Sequence, residues 1–162
     1  MLKAIVAALL TALPGCEDQM PNTKSSTPEV NVELGTLAKL ITLPKQPTEV
    51  RWEVLERAQG QAATLRVLLR FSEEDYAAVV EASDVYDQRG NARIDKTVYD
   101  GWIIAAAKVG VDAREKGSRY YELIGVEPRQ ANLFWNAKLS PYVNGRITPL
   151  SDGYMFVSMQ AN

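Results

Sequence analysis

Histidine is absent from this chain, and cysteine occurs once, at Cys16. Without histidine there is no Ser-His or Cys-His nucleophile–base pair and no imidazole to hold zinc. A lone cysteine excludes an intrachain disulfide and a thiolate-rich metal site. Charge of one sign is missing too: 18 Lys and Arg stand against 20 Asp and Glu, a net −2, which leaves no basic footprint for nucleic acid. No apolar run reaches the ~18 residues that a membrane-spanning helix needs. What is present is ordinary for a globular domain, with 46% apolar and 23% charged residues. A chain of about 150 residues buries enough surface for one cooperative core without metal or disulfides.

The amino terminus departs from that background. Met1-Leu2-Lys3 carries one positive charge, Ala4 to Leu13 is apolar except for Thr11, and Pro14, Gly15 and Cys16 follow. This is the order of a secretory signal over residues 1–15. As a helix the apolar run spans about 15 Å, half of a ~30 Å hydrocarbon core, so by itself it is no anchor. Leu13-Pro14-Gly15-Cys16 resembles the lipobox of bacterial lipoproteins: Leu13, Gly15 and Cys16 match, and Pro14 stands where a small or β-branched residue is usual. The alternative, a buried cysteine after a core or amphipathic helix, finds no polar face in Ala4 to Leu13.

The resemblance implies cleavage before Cys16 and acylation of that cysteine with fatty acid such as palmitate. One myristoyl-length chain holds a protein only reversibly, whereas the several chains of this class hold it permanently. The expected location is the bacterial cell envelope, facing the periplasm. In enteric members an Asp directly after the cysteine favours the inner membrane. Glu17 stands there instead, which favours the outer membrane.

Residues 16–31 read as the acylated cysteine and a flexible tether, polar and interrupted by Pro21 and Pro28. Residues 32–162 read as one globular α+β domain. Leu34, Leu37, Leu40 and Ile41 predict a short helix within Val32–Leu43, and Pro44 and Pro47 predict an extended connector. Val50, Trp52 and Val54 alternate with Arg51 and Glu53, as do Leu65, Val67, Leu69 and Phe71 with their polar neighbours. Both runs are half-buried strands of period two, and the Ala58–Gln61 segment between them turns the chain into an antiparallel pair. Leu68 interrupts the alternation, so part of the outer face is expected to be covered. Ser72 with Asp75 resembles a capping box, and Phe71 with Tyr76 has the spacing of a hydrophobic staple.

Farther on, Ile94 to Val109 recurs at helical spacing toward Gly110, with a strand and turn at Val98–Gly101 as the alternative. Asp112 with Glu115 predicts a helix to about Ile124, containing Gly117. Pro128 predicts a short helix through Trp135. Asn144-Gly145 predicts a tight turn, and Asp152-Gly153 a second one before Tyr154 to Met159. The expected fold is α+β: an antiparallel sheet built from the N-terminal hairpin and the C-terminal strands, with three or four helices packed on one face.

Candidate sites are few. Asp84, Asp87, Asp95 and Asp100 cluster in sequence, and a carboxylate pair can run glycan hydrolysis when its two pKa values are driven apart, but no motif selects two of them. Asp84 to Asn91 offers oxygen atoms to a hard cation but lacks the alternate-acid spacing of a calcium loop. No catalytic residue, metal ligand or cofactor is therefore assigned. Aromatic residues beside Asp, Asn or Arg are the usual make-up of binding surfaces. Tyr86, Asp87, Arg89, Tyr99, Asp100 and Tyr154 are the binding candidates, and Trp102 and Trp135 read as core anchors. The functional expectation is a non-enzymatic lipoprotein module with a membrane contact through Cys16 and a protein or cell-wall partner. An inhibitor of a periplasmic enzyme is the second reading and a carboxylate hydrolase the third. Cys16→Ser is expected to abolish incorporation of radioactive palmitate; undiminished labelling of that variant would overturn the assignment.

Overall fold

The computed structural model describes residues 30–56, 62–86, 90–136, 138 and 140–162. The signal, Cys16, most of the tether, the Ala58–Gln61 turn, Asp87 and Arg89 lie outside the described residues.

The two alternating runs form β1 (Glu49–Leu55) and β2 (Thr64–Arg70), paired antiparallel from Glu49 opposite Arg70 to Leu55 opposite Thr64. At the other end of the chain, β7 (Tyr142–Pro149) and β8 (Tyr154–Ala161) form a hairpin closed through Asp152 and Gly153. That hairpin docks beside the first, β8 pairing with β2 along its whole length. With β6 (Arg129–Gln130) on the far edge, the five-stranded antiparallel sheet runs β1-β2-β8-β7-β6. A second sheet is made of β3 (Ala92–Asp95), β4 (Ala113–Lys116) and β5 (Tyr120–Leu123), in the order β3-β5-β4.

The large sheet is covered on both faces. Leu65, Val67, Leu69, Met155, Val157 and Met159 point into one core, shared with Leu37, Val79 and Phe134. Leu68, Tyr154 and Phe156 point the opposite way, into a second core with Ile94, Val98, Tyr99, Trp102 and Leu123. Leu68 thus breaks the alternation because a second layer sits over it. Each large aliphatic side chain fully buried in these cores contributes about 1.5–3 kcal/mol.

Three helices belong to these layers, and only α2 (Glu73–Ala82) exceeds six residues. It starts as predicted: the Ser72 side chain accepts from the Asp75 N–H at 3.2 Å. The acid side of the box is not closed locally, because the Asp75 carboxylate pairs with Lys45 at 3.2 Å. α1 (Leu34–Leu37) and α2 pack on the first core, and α3 (Lys96–Gly101) on the second. The expectation of helices on one face is corrected accordingly.

Other expectations are also corrected. The helix read from Ile94 to Val109 is a strand, the short α3 and a 3₁₀ turn at Ala105–Lys108. The helix read from Asp112 to Ile124 is the β4–β5 hairpin. Its acids and bases mimic a helix start, but Gly117 takes φ +66° and turns the chain, while Tyr121 buries against Tyr99 only from an extended backbone. The helix after Pro128 reduces to β6 and a 3₁₀ turn at Asn132–Phe134. Phe134 there is fully buried and Trp135 is 50% exposed, so the core anchor is Phe134 rather than Trp135.

Asn144-Gly145 is not a turn but lies inside β7, past a bulge between Tyr142 and Asn144. The glycine is needed for close approach: a Cβ there would stand 2.4 Å from the Ser158 carbonyl oxygen and 2.9 Å from the Met159 side chain. Gly145→Ala is therefore expected to destabilise the domain by about 1–3 kcal/mol, as overpacking against backbone does, read as a lower urea midpoint at unchanged slope. A midpoint equal to that of the unaltered chain would contradict the described packing of β7 on β8.

Candidate functional site

A recess of about 790 Å³ lies where the end of β2 meets the start of α2 and the β7–β8 turn. Strand register builds it. Glu49 on β1 and Tyr154 on β8 both stand opposite Arg70 on β2, so one row of the sheet carries acid, base and phenol side by side. Arg70 donates through Nη1 to Glu49 Oε1 at 2.8 Å and through Nη2 to Asp152 Oδ2 at 2.7 Å. Its Nε donates to the Asp152 carbonyl at 3.2 Å. Tyr154 donates its hydroxyl to Glu49 Oε2 at 2.7 Å, with the guanidinium carbon 5.3 Å from its ring centre. Phe71, Tyr76 and Leu150 form the apolar part of the wall, and the Tyr76 hydroxyl donates to the Leu150 carbonyl at 2.9 Å.

The electrostatics follow from those contacts. The Tyr154 hydroxyl and then the Arg70 guanidinium hold the Glu49 carboxyl below its usual range. Burial, and next the bond to Glu49, pushes the Tyr154 phenol up to about 12. Near neutral pH the row is thus one carboxylate with both oxygens engaged and one un-ionised phenol. Neither group is poised to exchange a proton there, since an efficient general acid or base has a pKa near the working pH.

The binding candidates read from the sequence occupy three places. Tyr154 sits in this clamp, 3% exposed, and offers no free ring face. Tyr99, on α3, is 8% exposed and packs edge-on against Tyr121 at 5.3 Å, with the Lys108 ammonium 4.9 Å from its ring centre. Asp100 beside it is exposed and accepts from the Tyr121 hydroxyl at 3.3 Å. Tyr86 is half-buried on the far side of the sheet, its N–H bound to the Pro128 carbonyl at 3.1 Å, and it lines a polar groove with Arg146. The four aspartates considered for catalysis are not brought together either. Asp84 accepts from Asn132 at 2.8 Å. Asp95 caps α3 through the Thr97 N–H and also takes Arg119 at 2.9 Å. Its carboxyl is held below the ordinary range, chiefly by the Thr97 hydroxyl and then by Arg119. Asp100 is bound to Tyr121, and Asp87 lies outside the described residues.

Sequence reasoning missed the clamp itself. Arg70 read as a polar position of an alternating strand, Glu49 lies just before the run read from Val50, and only pairing of the strands makes them partners. It also missed Arg146 and Arg93, whose neighbours come from distant segments. Among the described residues, no group of three or more carboxylate or cysteine side chains is placed to hold a metal ion, and no helix is long and apolar enough to cross a membrane. Compared with protein-family models, curated proteins and solved structures, the chain matches none.

The linkage has a sign that can be measured. Glu49 has a lowered folded pKa, so its contribution is present above the unfolded value of about 4.3 and is lost as pH falls through the folded one. Tyr154 has a raised folded pKa, so its contribution holds below about 10 and is lost as pH climbs toward about 12. In Tyr154→Phe, Glu49 loses its largest stabilising partner. The acid-side fall in stability is expected to shrink, because the folded Glu49 pKa moves back toward its unfolded value, and one late phenolate signal to vanish from an alkaline absorbance titration. An unchanged acid limb would show that the hydroxyl does not act on Glu49.

Proposed function

We propose that this protein is a lipid-anchored lipoprotein of the bacterial envelope whose folded part is a non-enzymatic binding module facing the periplasm. The observation that carries the reading is the Leu13-Pro14-Gly15-Cys16 end of a signal-like leader, with the chain's one cysteine at the position the lipobox acylates. Anchoring confines the module to a thin layer beside the membrane and so raises its effective concentration against envelope partners. The chemistry of the recess at Arg70 supports binding over turnover. Its two best-placed carboxylates, Glu49 and Asp152, share one guanidinium, and Glu49 is held ionised, whereas glycoside hydrolysis needs one carboxyl kept protonated.

Mature protein purified from membranes is expected to begin at Cys16 and to carry the added mass of fatty acyl chains. An envelope crosslinking experiment on the tagged native chain is expected to recover one reproducible partner, and recovery is expected to fall when Cys16→Ser removes the anchor. A free thiol at Cys16 in the native protein would overturn the anchoring. Repeated absence of any captured partner would overturn the binding role.

A further inference from the structure

The polar groove on the far side of the large sheet holds a guanidinium, that of Arg146, whose donors the described residues leave unused. It consists of two recesses, of about 320 and 250 Å³, joined by Tyr86 and Arg146, which line both. Arg146 projects from β7 on the face opposite the first core, because its neighbour Ile147 points into that core. It is exposed, and its side chain makes no hydrogen bond or ion pair with the described residues. Beside it Ser158 and Gln160 line the floor. Gly145, which has no room for a side chain, keeps that floor low. On the opposite wall stands Arg93, held only at 3.8 Å by a Glu122 that also serves Lys116 at 3.6 Å. Two guanidinium groups, one half-buried phenol and several side-chain amides thus line a common space, and the carboxylate among its described lining residues, Glu122, is shared between Arg93 and Lys116.

Resting on the binding-module reading above, we infer that this groove takes a carboxylate-bearing peptide, an acidic segment of an envelope protein, with Arg146 as the principal ligand group. The planar fork of an arginine matches a carboxylate with two parallel hydrogen bonds. Among the described lining residues Arg93 and Arg146 stand against Glu122 alone, a positive excess complementary to an acidic chain. A peptide is favoured over an acidic sugar by the adjoining main chain. β6 pairs with β7 only at Ile147 and Arg146, and the Ala131 N–H reaches the Gly145 carbonyl. Beyond that contact no described strand covers the outer edge of β7, so an extended peptide finds N–H and C=O partners there that a sugar does not use.

The test uses the mature lipoprotein in detergent and rhodamine-labelled tetraglutamate, tetraglutamine and tetralysine, with binding read by fluorescence anisotropy. Polygalacturonate serves as the unlabelled acidic glycan competitor. Tetraglutamate is expected to bind, more weakly as salt rises, and the other two peptides are not. Arg146→Gln is expected to weaken binding about tenfold, the size of one charge-assisted contact. Arg146→Lys is expected to restore part of it, while Arg114→Gln, whose partner is Asp112, leaves it unchanged. Far-ultraviolet circular dichroism of each variant shows that the fold is kept. Equal binding of tetraglutamate and tetraglutamine, or wild-type affinity in Arg146→Gln, would overturn the inference, as would displacement by polygalacturonate without any peptide binding. Absence of peptide binding while the envelope partner is still captured would remove only this ligand class. Loss of both would remove the binding-module reading as well.

Discussion

Strand β8 has to satisfy two cores at once, and the architecture follows from that constraint. Tyr154, Met155, Phe156 and Val157 are all buried, which no strand at the surface of a two-layer domain requires. Met155 and Val157 belong to the core under α1 and α2, while Tyr154 and Phe156 belong to the core under the small sheet and α3. Because strand side chains alternate between faces, a shift of one residue in the β2–β8 or β7–β8 pairing would exchange the two sets and misplace both cores. The register is held at one end by Arg70, which ties Glu49, Tyr154 and Asp152 together across three strands and a turn. It is held farther along by Gly145, where only hydrogen fits against Ser158.

Much of this was legible in the residue order where local and global preferences agree. The period-two runs of β1 and β2 declare their strands and their antiparallel pairing, though not which residues stand opposite one another. Leu68 betrayed the second layer because an apolar residue on a polar face needs a cover. Legibility failed where local signals point one way and packing another. Asp112 and Glu115 look like a helix start, yet the segment pairs as β4 because Tyr121 and Leu123 must reach the second core. Asn144-Gly145 has the chemistry of a turn, but its glycine answers a close contact with another strand, and nothing in the neighbouring residues announces a contact made across sequence. The binding candidates suffered likewise. Tyr99 and Tyr154 have polar neighbours in the chain, but their rings are spent on the interior.

The two cationic features of the sheet differ in how much of their charge is committed. Arg70 meets two carboxylates at 2.7 and 2.8 Å and a third acceptor from the backbone. Its role is cohesion, and after the Tyr154 hydroxyl it is the group that holds the Glu49 pKa down. Arg146 stands in the open with its donors unsatisfied by the described residues. A satisfied charge in a fold holds strands together, and an unsatisfied one at the mouth of a groove is available to something outside. The same sheet therefore presents a closed end and a receptive end, separated by the row of Arg51, Leu68, Phe156 and Thr148.

The way the chain enters the domain carries a mechanical consequence. Asn31 exchanges two backbone hydrogen bonds with Trp52, at 2.8 and 2.9 Å, on the outer edge of β1, and the Trp52 indole donates to the Glu33 carbonyl at 3.2 Å. Any tension transmitted through the amino-terminal segment arrives first at this short latch. It is one rung on an edge strand, short beside the seven-residue pairing of β1 with β2 behind it. The entry to the domain is thus secured on its margin, before the chain reaches the interior at Leu37.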